Sequence, residues 1–268
     1  MHIEEIIQKI TPIDENARQL AQERFDALIK PVGSLAKLEE MTSRYCGIIG
    51  VYDKHEVNYP QGAVLVWCGA GRMEAAEKIM QGVCPVNVLA AETGGAAYAL
   101  VVTAENAADA MAEGASLAQE LIAENKLGII GLGCLAADDA VAQEVVQSAM
   151  AGAILMAASM KVPVMLDGLA TCRAAQAAAK LAPNVLQYCF AGHVSAEAGS
   201  KELLDELQLN APLRLNIYSG AGEGAALALS IFNGGIKTYK EMETFEEAGV
   251  HVEVKEFSMA EANKNKQK

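Results

Sequence analysis

Short apolar runs alternate with longer segments of helical periodicity over most of the chain beyond residue 62. The runs are four to six residues long, which is typical of buried strands, and apolar residues recur every three or four positions between them. The pattern predicts strands at residues 63–67, 98–102, 127–130, 162–166 and 185–190, and a sixth, edge strand at 213–217.

Helices are predicted after most of these strands, at residues 74–80, 104–124, 136–160, 170–181, 196–207 and 225–232. Strands that alternate with helices and are apolar on both faces form a mostly parallel sheet that helices cover on each side. The predicted fold class is therefore α/β, with a doubly wound sheet.

The two ends of the chain are patterned differently from the middle. Thr11 and Pro12 predict a helix start, and residues 30–34 break that helix before a second one at 35–49. At the other end, a helix is predicted at 239–248, and the alternation of Val250, Val252 and Val254 predicts a short terminal strand. The ends are thus expected to add a helical part to the sheet domain.

Composition narrows the class of protein. The 268 residues suit one large domain, and the formal net charge of −13 repels phosphate backbones, so nucleic acid is excluded as a partner. The longest apolar stretch, around residues 150–160, is shorter than the roughly 20 residues that span a bilayer. The acidic N-terminus does not resemble a signal peptide, so we expect a cytoplasmic protein without a membrane partner.

The six cysteines form neither a C-x-x-C pair nor a zinc-ligand spacing. Several of them lie inside apolar runs, where a reduced thiol behaves as a small hydrophobic side chain. We therefore predict no metal site.

Glycine follows nearly every predicted strand. In open parallel sheets, ligands bind in the crevice at the carboxyl ends of the strands. A ligand site is therefore expected there, although each glycine could also serve only as a turn residue. The candidate ligand-binding residues at these ends are Gly131, Gly133, Asp167, Gly168, Gly192, His193, Ser195, Gly220 and Gly222.

Glu223 is the most site-like carboxylate, because glycine precedes and follows it in the segment S-G-A-G-E-G at residues 219–224. Glycines allow a ligand to approach the backbone closely, and a carboxylate at that place can act as a general base. The alternative is a glutamate that stabilises a helix N-terminus through the macrodipole.

Five motifs occur in order along the chain. They read R-F-D-A-L-I-K-P-V-G-S-L-A-K-L-E at 24–39, N-V-L-A at 87–90, L-D-G at 166–168, H-V-S-A-E-A-G at 193–199 and M-E-T-F-E-E-A-G-V at 242–250. In type and order they resemble the motifs of the nicotinate-nucleotide–dimethylbenzimidazole phosphoribosyltransferase family, which activates the lower-ligand base of cobalamin.

The resemblance implies a Rossmann-like α/β domain at residues 60–234 and a small helical domain built from residues 1–55 and 235–268. It also implies a homodimer, whereas a heteromer with a paralogue would belong to a catalytically silent relative. The implied reaction is displacement of nicotinate from nicotinate mononucleotide by an aromatic base, without metal or other cofactor. A carboxylate would deprotonate the base, and amides at helix starts would hold the phosphate.

The sequence departs from the family pattern mostly at residues to which the resemblance assigns a role in binding or catalysis. Where the family carries G-x-G-E-M-G-I-G-N-T-T, this chain has Cys134 in place of the glutamate and lacks the Asn-Thr-Thr donors. Asp138 and Asp139 stand nearby and would repel a phosphate. The glutamate of the family's R-L-G-E-G-T-G-A segment, its general base, aligns with Ala221 in one register and with Glu223 in another.

Three of the candidate residues each have two possible interpretations. Asp167 is either a ligand contact or a turn residue that caps the next helix. His193 is either at the rim of the site or structural, and Ser195 either contacts the ligand or caps a helix from Ala196.

Two functions follow from the sequence. The first is a divergent phosphoribosyltransferase of cobamide lower-ligand activation, with Glu223 as the base. The alternative is a catalytically silent relative that binds a small ligand or pairs with an active paralogue.

Overall fold

The computed structural model describes residues 2–135 and 139–250. Its centre is a sheet of five parallel strands in the order β2-β1-β3-β4-β5. The strands are β1 Gly62–Cys68, β2 Ala96–Val101, β3 Ile129–Leu135, β4 Val164–Leu166 and β5 Cys189–Ala191. The order reverses between β1 and β3, which creates a crevice at their carboxyl ends. The predicted α/β class with a parallel, doubly wound sheet is confirmed.

Ten α-helices lie in the described parts of the chain. Their bounds are α1 Ile3–Ile7, α2 Glu15–Ala27, α3 Lys37–Ile49, α4 Met73–Met80, α5 Pro85–Ala91, α6 Ala107–Glu124, α7 Ala140–Ser159, α8 Leu169–Leu181, α9 Ser200–Glu206 and α10 Glu223–Glu241. α7 and α10 each contact β1, β3 and β4, and α6 and α8 pack against α7. The central strands are therefore buried by helices on both sides, and all seven residues of β1 are buried.

α7 is longer than the apolar stretch predicted from the sequence. With 20 residues it is long and apolar enough to cross a membrane, by length and composition only. However, it contacts α6, α8 and the sheet, and its residues from Ala149 to Ala158 are all buried within the protein. These contacts are those of the core helix of a globular domain.

Several predicted elements were wrong. Residues 213–217 form no strand: this extended segment makes only one bridge, between Leu213 and His193. A 3₁₀ helix, Pro183–Tyr188, replaces most of the predicted strand before β5, and the helix expected from Ala196 begins at Ser200. The short helix α5 was not predicted.

The separate helix at 239–248 was also wrong, because α10 continues through Gly234 and Gly235 to Glu241. A glycine in a helix costs only about 1 kcal/mol, and burial of one face of α10 outweighs that cost. Thr11 does not cap α2, whose N-cap is Asp14 with its side chain accepting from the Ala17 amide. Val252 and Val254 lie outside the described residues.

The two ends of the chain meet beside α10. The Ile29 and Phe245 amides donate to the carbonyls of Glu243 and Ala27. Arg24 donates to the Tyr239 and Met242 carbonyls at the end of α10. The division into a sheet domain and a helical domain built from both ends stays a prediction.

The conspicuous lysine of the motif at residues 24–39 has a structural partner. Lys30 Nζ lies 2.9 Å from Glu39 Oε1, and both side chains are buried. Burial alone would raise the pKa of Glu39, but hydrogen bonds from Lys30, the Leu35 amide and Gln22 outweigh it and lower the pKa. The motif thus closes the elbow between α2 and α3 with an internal ion pair.

Candidate functional site

A cleft of about 220 Å³ opens at the carboxyl ends of β3 and β4. Its walls come from the end of β3, the first half of α7, the start of α8 and the segment before α10. The lining residues are Cys134, Gln143, Gln147, Gly168, Leu169, Ala170, Thr171, Arg173, Glu197, Ser219 and Gly220. Among the described residues of this lining, Arg173 and Glu197 carry a charge and most of the others are polar or small. Its position is the one predicted from the strand-end glycines.

The N-terminus of α8 forms one wall of the cleft. Its first amide, from Leu169, donates to Glu197 Oε2 at 2.8 Å, and Ser195 Oγ donates to the same oxygen at 2.9 Å. A Cβ at Gly168 would lie 2.6 Å from that oxygen, so glycine makes room for the carboxylate. Ser195 therefore does not cap a helix of its own but orients Glu197, which caps α8.

The N-terminus of α10 is closed by a buried carboxylate. Asp167, directly after β4, accepts hydrogen bonds from the Gly222 amide at 2.9 Å and the Ala225 amide at 3.1 Å. Its side chain is inaccessible to solvent. Of its two predicted roles, the geometry favours capping, but the capped helix is α10 rather than the next helix, α8.

His193 packs into the same buried junction. Its Nε2 lies 3.3 Å from Asp167 Oδ1, which is within ion-pair range if the ring is protonated. The ring nitrogens make no hydrogen bond to any other described residue. A Cβ at Gly224 would lie 2.0 Å from the imidazole, so α10 can start here only with glycine at that position. His193 is thus placed in the core beneath α10 rather than on the cleft.

Four of the predicted glycines also lie beneath α10. A Cβ at Gly133 would be 2.5 Å from the Ala221 carbonyl carbon, and one at Gly192 would be 3.0 Å from the Gly224 oxygen. Gly131 approaches Ala225 in the same way, and Gly222 has a φ of +102° in the turn that begins the helix. These glycines permit close packing of the helix on the sheet. Of the predicted glycines, Gly168 and Gly220 line the cleft.

Glu223 is the first residue of α10 and is half-buried. Its Oε2 accepts a hydrogen bond from Ser219 Oγ at 2.6 Å. Ser219 lines the cleft, whereas Glu223 is not among the lining residues. The carboxylate predicted as the base therefore reaches the cleft through the Ser219 hydroxyl.

Sequence reasoning missed the polar residues that α7 and α8 contribute to the cleft, namely Gln143, Gln147, Thr171 and Arg173. The i, i+4 spacing of the two glutamines after the glycine-rich strand β3 was the available signal. Glu197 belongs to the H-V-S-A-E-A-G motif at 193–199, but it was not predicted as a site residue.

Within the described residues no group of side chains is suited to a metal ion, and Cys172, which precedes Arg173 on α8, is a buried thiol. No cluster of three His, Cys, Asp or Glu side chains suited to a metal occurs within residues 2–135 and 139–250. Burial, aided by the charge of Asp167, raises the pKa of Cys172 to about 12, so this thiol stays protonated and inert.

The fold and the cleft define an α/β protein with a polar site at the carboxyl edge of a parallel sheet. A family model described as "DBI_PRT: Phosphoribosyltransferase" matches residues 10–101 and 144–250. The chain belongs to this phosphoribosyltransferase family, which confirms the resemblance in its motifs. The unmatched residues 102–143 include the glycine-rich stretch from residue 131 to residue 140, where the sequence departs from the expected family motif.

Two similar curated proteins are both named nicotinate-nucleotide–dimethylbenzimidazole phosphoribosyltransferase. The protein from Geotalea uraniireducens is 44% identical over 103 residues, which is 38% of this chain but only 29% of the relative. The one from Chloroflexus aurantiacus is 28% identical over 351 aligned positions, covering 94% of this chain and 99% of the relative. Because that alignment is longer than this chain, the relative carries segments that the chain lacks.

Solved structures of a protein of that name from Thermus thermophilus are similar in fold. One has a TM-score of 0.76 at 22% identity and covers 90% of this chain and 100% of that chain. At this identity the likeness shows the fold alone.

Proposed function

We propose that this chain transfers the ribosyl phosphate of nicotinate mononucleotide to an aromatic base, as the names of its relatives describe for them. One observation carries the proposal: the chain aligns with nearly the whole length of such a relative and keeps a polar cleft at the carboxyl edge of the sheet. Parallel α/β sheets bind their ligands at that edge.

In the proposed reaction, a ring nitrogen of the acceptor base attacks C1′ of the ribose as the C1′–N bond to nicotinate breaks. Nicotinate leaves with the electrons of that bond, and the N–H proton of the acceptor must be removed. Glu223 is the proposed base. Its hydrogen bond from Ser219 allows the hydroxyl to pass the proton from the cleft to the carboxylate.

The predicted binding residues divide into two proposed roles. Gly168 and Gly220 line the cleft and let the nucleotide approach the backbone. Gly131, Gly133, Gly192 and Gly222 act through packing, together with Asp167, His193 and Ser195, because they position the starts of α8 and α10.

A second function, a catalytically silent relative that binds a small ligand, is favoured by a specific observation. Asp167 occupies two amides at the N-terminus of α10, and the glycine-rich stretch after residue 130 lacks the donors of the family pattern. A phosphate would therefore need donors from elsewhere in the cleft.

The deciding measurement is release of free nicotinate. Purified protein is incubated with nicotinate mononucleotide and a panel of benzimidazoles, purines and phenols. We expect release with at least one base and a loss of about 100-fold in rate for Glu223→Gln, since general-base catalysis contributes typically 10²–10⁴-fold. Ser219→Ala is expected to lose less than Glu223→Gln, because the carboxylate remains.

Absence of release with every base, equally in the wild type and in Glu223→Gln, would support the silent relative. A cytoplasmic location and assembly into a homodimer, or a heteromer with a paralogue, belong to the same proposal. Size-exclusion chromatography with light scattering tests the assembly.

A further inference from the structure

Three polar side chains face the cleft from α7 and α8 without partners. The side chains of Gln143, Gln147 and Arg173 make no hydrogen bond or ion pair with any other residue in the described ranges. The two glutamines are half-buried, and an amide at that depth gains from a partner. These side chains line one wall of a polar cleft, so their donors are free to bind an acceptor on a ligand.

We propose that Arg173 binds the phosphate of a nucleotide in this cleft, with Gln143 and Gln147 as flanking donors. This deepens the proposed function, because it concerns the same site and names how the phosphate is held. A guanidinium presents a planar fork that matches two phosphate oxygens, which makes arginine well suited to this group.

The geometry brings these donors to one place. Gln143 and Gln147 are four residues apart on α7 and so lie on one face, and α7 packs against α8. Arg173 stands four residues after Leu169 on α8, about 6 Å along the helix axis. It therefore lies one turn beyond the amide that binds Glu197.

The charges of the site agree with this assignment. The chain carries a net charge of −13, so an anion needs a local cation to bind, and Arg173 is the cation among the described residues that line the cleft. The opposing carboxylate, Glu197, is already held by the Leu169 amide and the Ser195 hydroxyl. Those donors compensate part of its charge and leave Arg173 for the ligand.

The proposal also accounts for the degraded glycine-rich stretch. Asp167 occupies two amides at the start of α10, those of Gly222 and Ala225, and the residues after β3 offer no Asn-Thr-Thr donors. A phosphate in this cleft therefore depends on other donors of the lining, and Arg173 is the one that carries a positive charge among the described lining residues.

Calorimetry with two ligands tests the proposal without depending on turnover. Nicotinate mononucleotide and nicotinate riboside, which lacks the phosphate, are titrated into the wild type, Arg173→Ala, Arg173→Lys and the control Lys180→Ala. Lys180 is an exposed cation near the other end of α8, so its removal changes the net charge equally.

We expect Arg173→Ala to weaken mononucleotide binding about 10- to 100-fold, the worth of a hydrogen-bonded charge, with riboside binding changed less than about threefold. Arg173→Lys should recover part of the loss, and Lys180→Ala should match the wild type. Equal losses for both ligands, equal losses in Lys180→Ala, or wild-type binding weaker than millimolar would each overturn the assignment.

The two proposals fail separately. Mononucleotide binding that depends on Arg173, without nicotinate release for any base, would leave the phosphate contact standing and remove the transferase. Nicotinate release that is unchanged by Arg173→Ala would support the transferase and refute the phosphate contact. Arg173 is exposed, so its substitution is not expected to prevent folding, and circular dichroism of each variant checks this.

Discussion

Two helices, α8 and α10, begin at the same edge of the sheet, and their N-termini are used differently. Both starts contain glycine and both are capped by a carboxylate from another part of the chain. At α10 the capping group, Asp167, is inaccessible to solvent and lies beside His193. At α8 it is the half-buried Glu197, which lines the cleft. The same local pattern thus builds a closed structural joint in one place and a wall of the cleft in the other.

The largest effect is expected from removal of the closed joint. Asp167→Ala leaves the buried amides of Gly222 and Ala225 without acceptors, at about 1–3 kcal/mol each, so we expect a loss of about 4 kcal/mol in the free energy of unfolding. Urea denaturation measures it. Asp139→Ala, which removes the exposed cap of α7, should cost about 1 kcal/mol. Equal costs for the two variants would refute the closed joint.

Alanine substitution of the glycines sharpens the same contrast. Gly224→Ala directs a Cβ into the buried ring of His193, and we expect a loss of about 3 kcal/mol from overpacking. Gly168→Ala meets the end of the flexible Glu197 side chain instead, so a loss below about 1 kcal/mol is expected. Thermal unfolding compares them. The matched control, Gly234→Ala, has open space around its Cβ within α10 and should stabilise the protein by about 0.5–1 kcal/mol.

Removal of charge from the cap of α8 should have a smaller effect. Glu197→Gln keeps an oxygen for the Leu169 amide but weakens the bond, and we expect a loss of about 1 kcal/mol by urea denaturation. With the carboxylate gone, mononucleotide binding should tighten about threefold through reduced repulsion. Weaker binding in this variant would instead assign Glu197 a direct contact with the nucleotide.

The smallest effect is expected from Glu247, a surface carboxylate in the segment that follows α10. Hydrogen bonds from Lys54, the Thr244 amide and Arg24 lower the pKa of Glu247 to about 2. Because the pKa is depressed on folding, this stabilisation is present above the ordinary value of 4.5 and is lost as the pH falls toward 2. Glu247→Gln should remove about 0.5 kcal/mol at about pH 7 and flatten the fall in melting temperature between about pH 4.5 and 2. Parallel pH profiles of the wild type and the variant would contradict the assignment.

The sequence determined the fold class and the edge of the sheet that carries the cleft. Apolar runs that alternate with helical periodicity leave a parallel sheet as the arrangement that buries both faces of the strands. The motifs determined the family, because they recur in order from Arg24 to Val250. These features are local in the chain, so they can be read without knowledge of the packing.

Only the tertiary structure decided which of the predicted residues line the cleft. Asp167 and Gly168 are neighbours in sequence, yet the first turns under α10 and the second opens on the cleft. Arg173 and the glutamines of α7 carried no motif, and they meet only because α7 packs against α8. The contact of Glu197 with the start of α8 likewise joins residues that are far apart in the chain. Long-range packing, which no local pattern encodes, therefore decides which residues of the glycine-rich edge are buried under α10 and which line the cleft.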